Sequence, residues 1–167
     1  MNNNHIGTAL QVLKEIADEL GYNYSHGNLT ESRFKAVNVY PYEHCTIQNI
    51  LADDSVSTIQ FNVTISDILN FLKGENEQAN EETLYSEIGY TENTNYSHVI
   101  QNLYVQFMLK LRAKEQQYYG QIEFVRPIAF NPFIENHKDV TAGYDITLNI
   151  KVISPWVTDC YNELSGD

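Results

Sequence analysis

Histidines and cysteines are the side chains in this sequence best suited to bind a metal ion or act as nucleophiles. The five histidines lie far apart and form no HExxH-like pair; they are His5, His26, His44, His98 and His137. His44 is followed directly by Cys45, but adjacent residues of an extended segment point to opposite faces. That geometry disfavours a shared metal or nucleophile site, so we expect a surface histidine beside a packed cysteine.

Carboxylates are numerous, with 22 Asp and Glu against 10 Lys and Arg. General acid–base catalysis needs a cleft that shifts the pKa of a carboxyl group, and most of these carboxylates lie in one acidic stretch where water screens them. The glycines are scattered singly without a phosphate-binding motif, and no serine lies in a nucleophile elbow. We therefore predict no catalytic residue, no metal site and no cofactor, and a protein that is not an enzyme.

The net charge of -12 restricts the partners of the chain. A field of this sign repels nucleic acid and anionic membranes, so we expect neither general DNA binding nor membrane binding. The cations Lys110, Arg112 and Lys114 are the local exception, and they are more simply explained as complements to a helix dipole. The N-terminal segment lacks a signal peptide and no stretch is long enough to span a membrane, which predicts a cytoplasmic protein. Cys45 and Cys160 do not suggest a secreted disulfide scaffold, and whether they are free stays open.

The strongest structural pattern runs from Gly143 to Ile153. Five apolar residues, namely Tyr144, Ile146, Leu148, Ile150 and Val152, alternate there with four polar ones, namely Asp145, Thr147, Asn149 and Lys151. Strand side chains repeat every two residues, so this alternation predicts a strand with one apolar and one polar face. Such a strand needs a sheet whose apolar face is covered by other elements.

Two amphipathic helices are predicted to provide that cover, over Ile6–Leu20 and over Asn95–Gln116. Gly21 ends the first helix, whose polar face we expect to be solvated: Gln11, Lys14, Glu15, Asp18 and Glu19. The second helix has a predicted buried stripe made of Val99, Ile100, Leu103, Tyr104, Phe107 and Leu111.

Three further strands are predicted at Arg33–Tyr42, at Ile59–Ile65 and at Gln121–Phe130, the last interrupted by Arg126-Pro127. The alternation of Ile59–Ile65 is predicted to end at Ser66-Asp67. The segments expected to be loops or connections are Tyr22–Glu31, Glu43–Ser55 and Asn131–Ala142. The order helix, strand, strand, helix, strand, strand predicts an α+β fold with a mainly antiparallel sheet and both helices on one face.

The chain is predicted to form a single domain over residues 1–167. Residues 73–95 form an acidic loop insertion with glutamates and almost no cations, a composition that is typical of loosely structured loops. Residues 155–167 form a C-terminal tail that contains Trp156.

The predicted helices and hairpins form a plan that can be compared with known proteins. It consists of four parts that together cover most of the chain: Ile6–Leu20, Arg33–Ile65, Asn95–Gln116 and Gln121–Ile153. The last part ends in a Tyr-Asp-Ile-Thr-Leu-Asn-Ile-Lys-Val strand. This plan resembles the tail terminator and tail completion proteins of tailed bacteriophages, in pattern rather than through an invariant motif. The resemblance implies a structural virion protein that forms a ring, commonly a hexamer, at the head–tail junction or the end of the tail. Its implied partners are copies of itself and other neck or tail proteins, with DNA passing through and assembly in the host cytoplasm. The acidic insertion and the Trp156 tail depart from the pattern.

In such a ring the candidates for subunit or tail contacts are Tyr40, Tyr42, Phe133, Ile134, Lys151 and Trp156. The aromatic candidates fit an ordinary core as well. The acidic residues Glu75, Glu77, Glu81 and Glu82 are candidates for a lumen that repels DNA. Two alternatives remain open: a cytosolic α+β enzyme or small-ligand-binding domain with a scattered site, and a monomeric protein-binding adaptor.

Overall fold

The fold is known from a computed structural model of the chain, which describes residues 4–27, 40–68, 95–136 and 140–154. In chain order its elements are α1 (His5–Leu20), β1 (Asn23–His26), β2 (Tyr42–Ala52), β3 (Val56–Ile68), α2 (Asn95–Gln117), β4 (Ile122–Phe124), β5 (Ala129–Asn136) and β6 (Val140–Ile153). The predicted α+β class with a mainly antiparallel sheet is confirmed.

The six strands form one sheet in the order β1-β2-β3-β6, and both β4 and β5 pair with the remaining edge of β6. β1 and β2 are parallel, and every other described pairing is antiparallel. β3 and β6 form the longest ladder, from Val56 opposite Ile153 to Ile68 opposite Thr141. The strongly alternating strand of the sequence therefore lies at the centre of the sheet.

Both helices pack on one face of the sheet, here called the helix face. Because side chains alternate along a strand, every second residue of β3 and β6 projects to this face. The core joins these residues to the inner sides of the helices: Leu13 and Ile16 from α1, Leu103, Phe107 and Leu111 from α2, Ile59, Phe61, Val63 and Ile65 from β3, and Ile146, Leu148 and Ile150 from β6. The opposite face carries Asp145, Thr147, Asn149 and Lys151 and is called the polar face.

Local signals in the sequence explain where α1 begins and ends. The Asn4 side-chain oxygen accepts a hydrogen bond from the Gly7 N–H at 2.8 Å, which satisfies one of the free donors of the first turn. Gly21 follows the helix with φ 73°, a left-handed conformation that glycine adopts without a Cβ clash. The predicted bounds of both helices agree with the structure to within one residue.

A buried lysine joins the two helices. Lys114 of α2 is 2% exposed. Its Nζ lies 2.9 Å from a Glu15 carboxylate oxygen and 2.6 Å from a Glu19 one. Burial alone would lower the pKa of Lys114, but its hydrogen bonds to Glu19 and Glu15 outweigh that effect and raise the pKa. Glu15 and Glu19 of α1, expected on a solvated face, therefore face the cations of α2 instead.

The predicted stripe of α2 needs one correction. Leu103, Phe107 and Leu111 are buried as expected, but Tyr104 is 42% exposed. Its ring contacts the Phe130 ring edge-on, with 5.0 Å between ring centroids. Tyr104 thus lies at the border of the core, with its ring packed against Phe130 and part of the residue exposed.

Two strands lie where loops or connections were predicted. Asn23–His26 is β1 rather than loop, because it pairs in parallel with Tyr42–Cys45. The range Glu43–Ser55 is not a connection, since β2 occupies most of it and pairs with β3. A β-bulge between Ile47 and Asn49 shifts the register, so the alternation that marks a strand is lost in the sequence.

The second half of the sheet shows similar differences. The expected long connection Asn131–Ala142 is wrong, because β5 continues to Asn136 and β6 begins at Val140. Pro132 argued against a strand in the sequence, because proline has no N–H to donate to a neighbouring strand. It is tolerated here because β5 lies at the edge of the sheet. β3 also runs through Ser66-Asp67 to Ile68 without a break. Residues 33–39, most of the predicted strand Arg33–Tyr42, and residues 73–94 of the acidic insertion lie outside the described residues.

Gly143 is predicted to be indispensable for the central ladder. A Cβ at this position would lie 2.0 Å from the Ile65 carbonyl oxygen and 2.8 Å from the Ser66 Cα, both of which are backbone atoms. We expect Gly143→Ala to lower the free energy of unfolding by about 3 kcal/mol or more, measured by urea denaturation. Thr147→Ala, on the exposed face of the same strand, is the control and should change it by about 0.5 kcal/mol at most. Equal unfolding midpoints for Gly143→Ala and the wild type would contradict this account of the ladder.

Candidate interaction surface

Apart from Tyr104 and Tyr119, the large apolar side chains that are exposed on the described surface form two groups. One group is at the end of the β2–β3 hairpin and contains Ile47, Ile50 and Leu51. The other is on the outer side of α2 and contains Val105 and Leu109. Leu51 is 65% and Leu109 is 53% exposed. Clusters of this kind are typical of surfaces that bind another protein.

The first group belongs to a segment called here the hairpin end, residues 47–54. Ile47 lies opposite Phe61 and Ile50 opposite Ile59, so both project to the helix face, whereas Leu51 opposite Thr58 projects to the polar face. β1 pairs with β2 only as far as Cys45. Beyond that point no described strand pairs with the outer edge of β2.

The turn of the hairpin end is acidic. Asp53 and Asp54 are both exposed, and the Asp53 N–H donates to the Val56 carbonyl at 2.8 Å to close the turn. The Asp53 carboxylate also accepts a hydrogen bond from the Asp54 N–H at 2.7 Å. The exposed apolar residues of the hairpin end are therefore followed directly by two negative charges.

The second group belongs to the helix stripe, defined as Val105, Leu109, Arg112 and Gln116. These exposed residues recur at helical spacing on the side of α2 opposite to the buried Leu103, Phe107 and Leu111. Arg112 makes no ion pair with another described residue, whereas Lys110 and Lys114 are paired with α1. No Asp or Glu occurs between Glu92 and Glu115, so the helix stripe is apolar and positive within a strongly acidic chain.

The polar face of the sheet is occupied by internal polar contacts. Lys151 Nζ lies 3.4 Å from a Glu123 carboxylate oxygen, and Thr64 donates to Asp145 at 2.6 Å. His44 is not a surface histidine as expected: it is 4% exposed and its Nδ1 lies 2.7 Å from the Ser25 hydroxyl oxygen. The predicted separation of His44 and Cys45 onto opposite faces is confirmed by their places in β2.

The predicted contact residues are only partly brought together. The Tyr40 and Tyr42 rings lie 5.3 Å apart and are half-buried. Tyr42 and Phe133 share the polar face, at opposite ends of one row that crosses the sheet through the buried Ser66 and Gly143. Ile134, adjacent to Phe133, projects to the helix face. Lys151 is paired within the chain, and the remaining candidates lie outside the described residues: Trp156, Glu75, Glu77, Glu81 and Glu82.

Sequence reasoning missed both exposed apolar groups as contact candidates. Val105 and Leu109 carried a usable signal, since they are apolar residues of a helix that fall off its predicted buried stripe. The hairpin end carried a weaker signal. The sequence does not reveal the bulge, so the spacing of Ile47, Ile50 and Leu51 indicated an irregular connection rather than a strand.

A buried acidic group lies under the C-terminal end of α1. Glu43 is completely buried; one of its oxygens accepts a hydrogen bond from the Cys45 thiol at 3.5 Å, and the other has no partner among the described residues. Burial raises the pKa of Glu43 to about 8, and the Asp18 charge acts in the same direction. Burial also raises the pKa of the Cys45 thiol, so Cys45 is a neutral thiol rather than an activated nucleophile.

Three further searches concern metal-binding groups, membrane-spanning helices and similar proteins. Among the described residues, no three His, Cys, Asp or Glu side chains lie close enough together to hold a metal ion. In the same part of the chain, neither helix has the length and apolar character needed to cross a membrane. Comparison with known protein families and with curated proteins finds none that matches this chain.

The raised pKa of Glu43 predicts an unusual pH dependence of stability. Between its ordinary pKa of 4.5 and the folded-state value of about 8, the folded protein keeps a proton that the unfolded chain has lost. Stability contributed at this site therefore falls as pH rises, by up to about 1.4 kcal/mol per pH unit. Because Glu43→Gln cannot ionise, we expect its stability relative to the wild type to increase from about pH 5 to about pH 8 in urea unfolding experiments.

The control for this measurement is Thr147→Ala, which alters an exposed position without removing a titratable group. Its unfolding free energy should follow the wild-type pH dependence. If the Glu43→Gln and wild-type curves run parallel across the whole pH range, then Glu43 is not a buried acid that stays protonated in the folded state.

Proposed function

We propose that this protein is a structural subunit that assembles with copies of itself into a ring at the head–tail junction or tail end of a tailed bacteriophage. The observation that carries the proposal is the presence of two separate apolar groups, the hairpin end and the helix stripe, on the described surface. A ring subunit needs two different surfaces, because each copy contacts one neighbour with one surface and the next neighbour with the other.

The order of elements supports the same proposal. A first helix, the β2–β3 hairpin, a second long helix and the strands that end in β6 correspond to the plan of tail terminator and tail completion proteins outlined above. Fold alone does not determine function, so this support is secondary to the surface. Other neck or tail proteins are the proposed partners above and below the ring.

Charge supports a passive role toward DNA. The net charge of -12 gives the subunit a field that repels the phosphate backbone, as suits a ring through which DNA passes without binding. Placing Glu75, Glu77, Glu81 and Glu82 at the lumen is part of this proposal. In this proposal the protein acts through contacts between subunits and not through catalysis.

The second candidate is a small-ligand-binding domain or enzyme, and one observation favours it. Glu43 combines a strongly raised pKa with an unpartnered oxygen, and perturbed carboxyl groups are enriched at functional sites. However, Glu43 is completely buried and is packed beside the Cys45 thiol. A substrate could reach it only after a rearrangement of the surrounding core, so a role in the core is the simpler explanation.

Self-assembly is the property that distinguishes the ring from both alternatives. Light scattering of the purified protein at increasing concentration should give a mass that is a multiple of the 19.2 kDa chain and reaches a constant value, as a closed ring requires. A mass that stays at one chain at high concentration would contradict the ring and favour the adaptor or the ligand-binding domain. A mass that grows without limit would indicate an open filament.

A further inference from the structure

We propose that the hairpin end of one subunit docks on the helix stripe of α2 in the next subunit. This inference rests on the proposed function and assigns the two surfaces that the assembly would use. Each subunit then carries one copy of each surface, and the contact is heterologous, meaning that it joins two different surfaces.

Both surfaces carry exposed apolar side chains. The hairpin end offers Ile47 and Ile50 on one face and Leu51 on the other, held by backbone pairing with β3. The helix stripe offers Val105 and Leu109 one helical turn apart. The contact would remove Leu109, which is 53% exposed, from water together with exposed apolar side chains of the hairpin end.

The charges of the two surfaces are opposite. Asp53 and Asp54 follow the apolar residues of the hairpin end, while Arg112 lies in the helix stripe one turn after Leu109. Glu115, the acidic residue one turn after Arg112, is bound to Arg126 through both of its carboxylate oxygens at 2.8 Å, so Arg112 still offers a positive charge to the aspartates of a docking hairpin. In a chain with a net charge of -12, this part of α2 offers a second acidic copy a cation rather than another carboxylate.

Geometry places the contact between copies rather than within one chain. The buried side of α2 packs on the sheet through Leu103, Phe107 and Leu111, so the helix stripe faces away from the sheet that contains the hairpin end. A symmetric contact of two hairpin ends would bring acidic turns of both copies into one interface and leave the helix stripe uncovered. The bulge between Ile47 and Asn49 also disfavours edge-to-edge pairing of strands.

The test uses two full-length variants, each of which blocks one surface. Ile50→Ser/Leu51→Ser removes two apolar side chains from the hairpin end, and Val105→Glu/Leu109→Glu places negative charge on the helix stripe, so the two blocked surfaces do not attract each other. All four positions are exposed, so both variants should keep the wild-type fold by circular dichroism and thermal melting. Gln121→Ser and Gln106→Glu introduce the same residue types at exposed positions off the two surfaces and are the controls.

The proposal predicts that each blocked variant alone is monomeric, with the concentration for half-assembly raised about tenfold or more by light scattering. Mixed together, the two variants should form a one-to-one pair of twice the 19.2 kDa chain mass and no larger species. The reason is that the hairpin-blocked copy keeps its helix stripe and the stripe-blocked copy keeps its hairpin end. The two control variants should assemble like the wild type.

The outcomes separate this inference from the proposed function. If the wild type assembles and either blocked variant assembles equally well, the ring stands and the assigned surfaces are wrong. If both variants are monomeric but their mixture does not pair, the contact is not heterologous between these two surfaces, and the inference is likewise overturned. If the wild type never self-associates, both the inference and the ring are wrong.

Discussion

The antiparallel ladder between β3 and β6 is the constraint on which the other elements depend. Its thirteen residue pairs fix which side chains reach the helix face, and a shift by one residue would exchange the apolar and polar faces. β2 attaches to one side of the ladder and both β4 and β5 to the other. Gly143 maintains the register, because a side chain there would collide with the backbone at Ile65 and Ser66.

The same ladder makes the hairpin end a rigid structure. β3 is held on its other side by β6, and the last residues of β2 are paired with β3, so Ile50 and Leu51 are exposed on an ordered element. The ion pairs of Lys114 with Glu15 and Glu19 fix the rotation of α2 about its axis. That rotation directs Leu109 outward, so both proposed contact surfaces are already formed in the single subunit.

Segments with a regular hydrophobic period were predicted well from the sequence, because one face of each is buried throughout. This holds for both helices, for β3 and for β6. The errors arose where a local feature interrupts the period: the bulge after Ile47 in β2 and Pro132 in β5. β1 forms only through pairing with β2, which no local pattern indicates. The buried Glu43 and the partner choice of Lys114 depend on tertiary packing and could not be predicted from residue types that usually lie in water.

Images of the assembled wild-type particles would test the central claim most directly. Electron micrographs of negatively stained protein should show closed rings with a central opening and identical subunits repeated around one axis, because a heterologous contact that closes on itself produces that form. Particles the size of one chain, or compact pairs related by a twofold axis, would contradict a ring built from two different surfaces on each subunit.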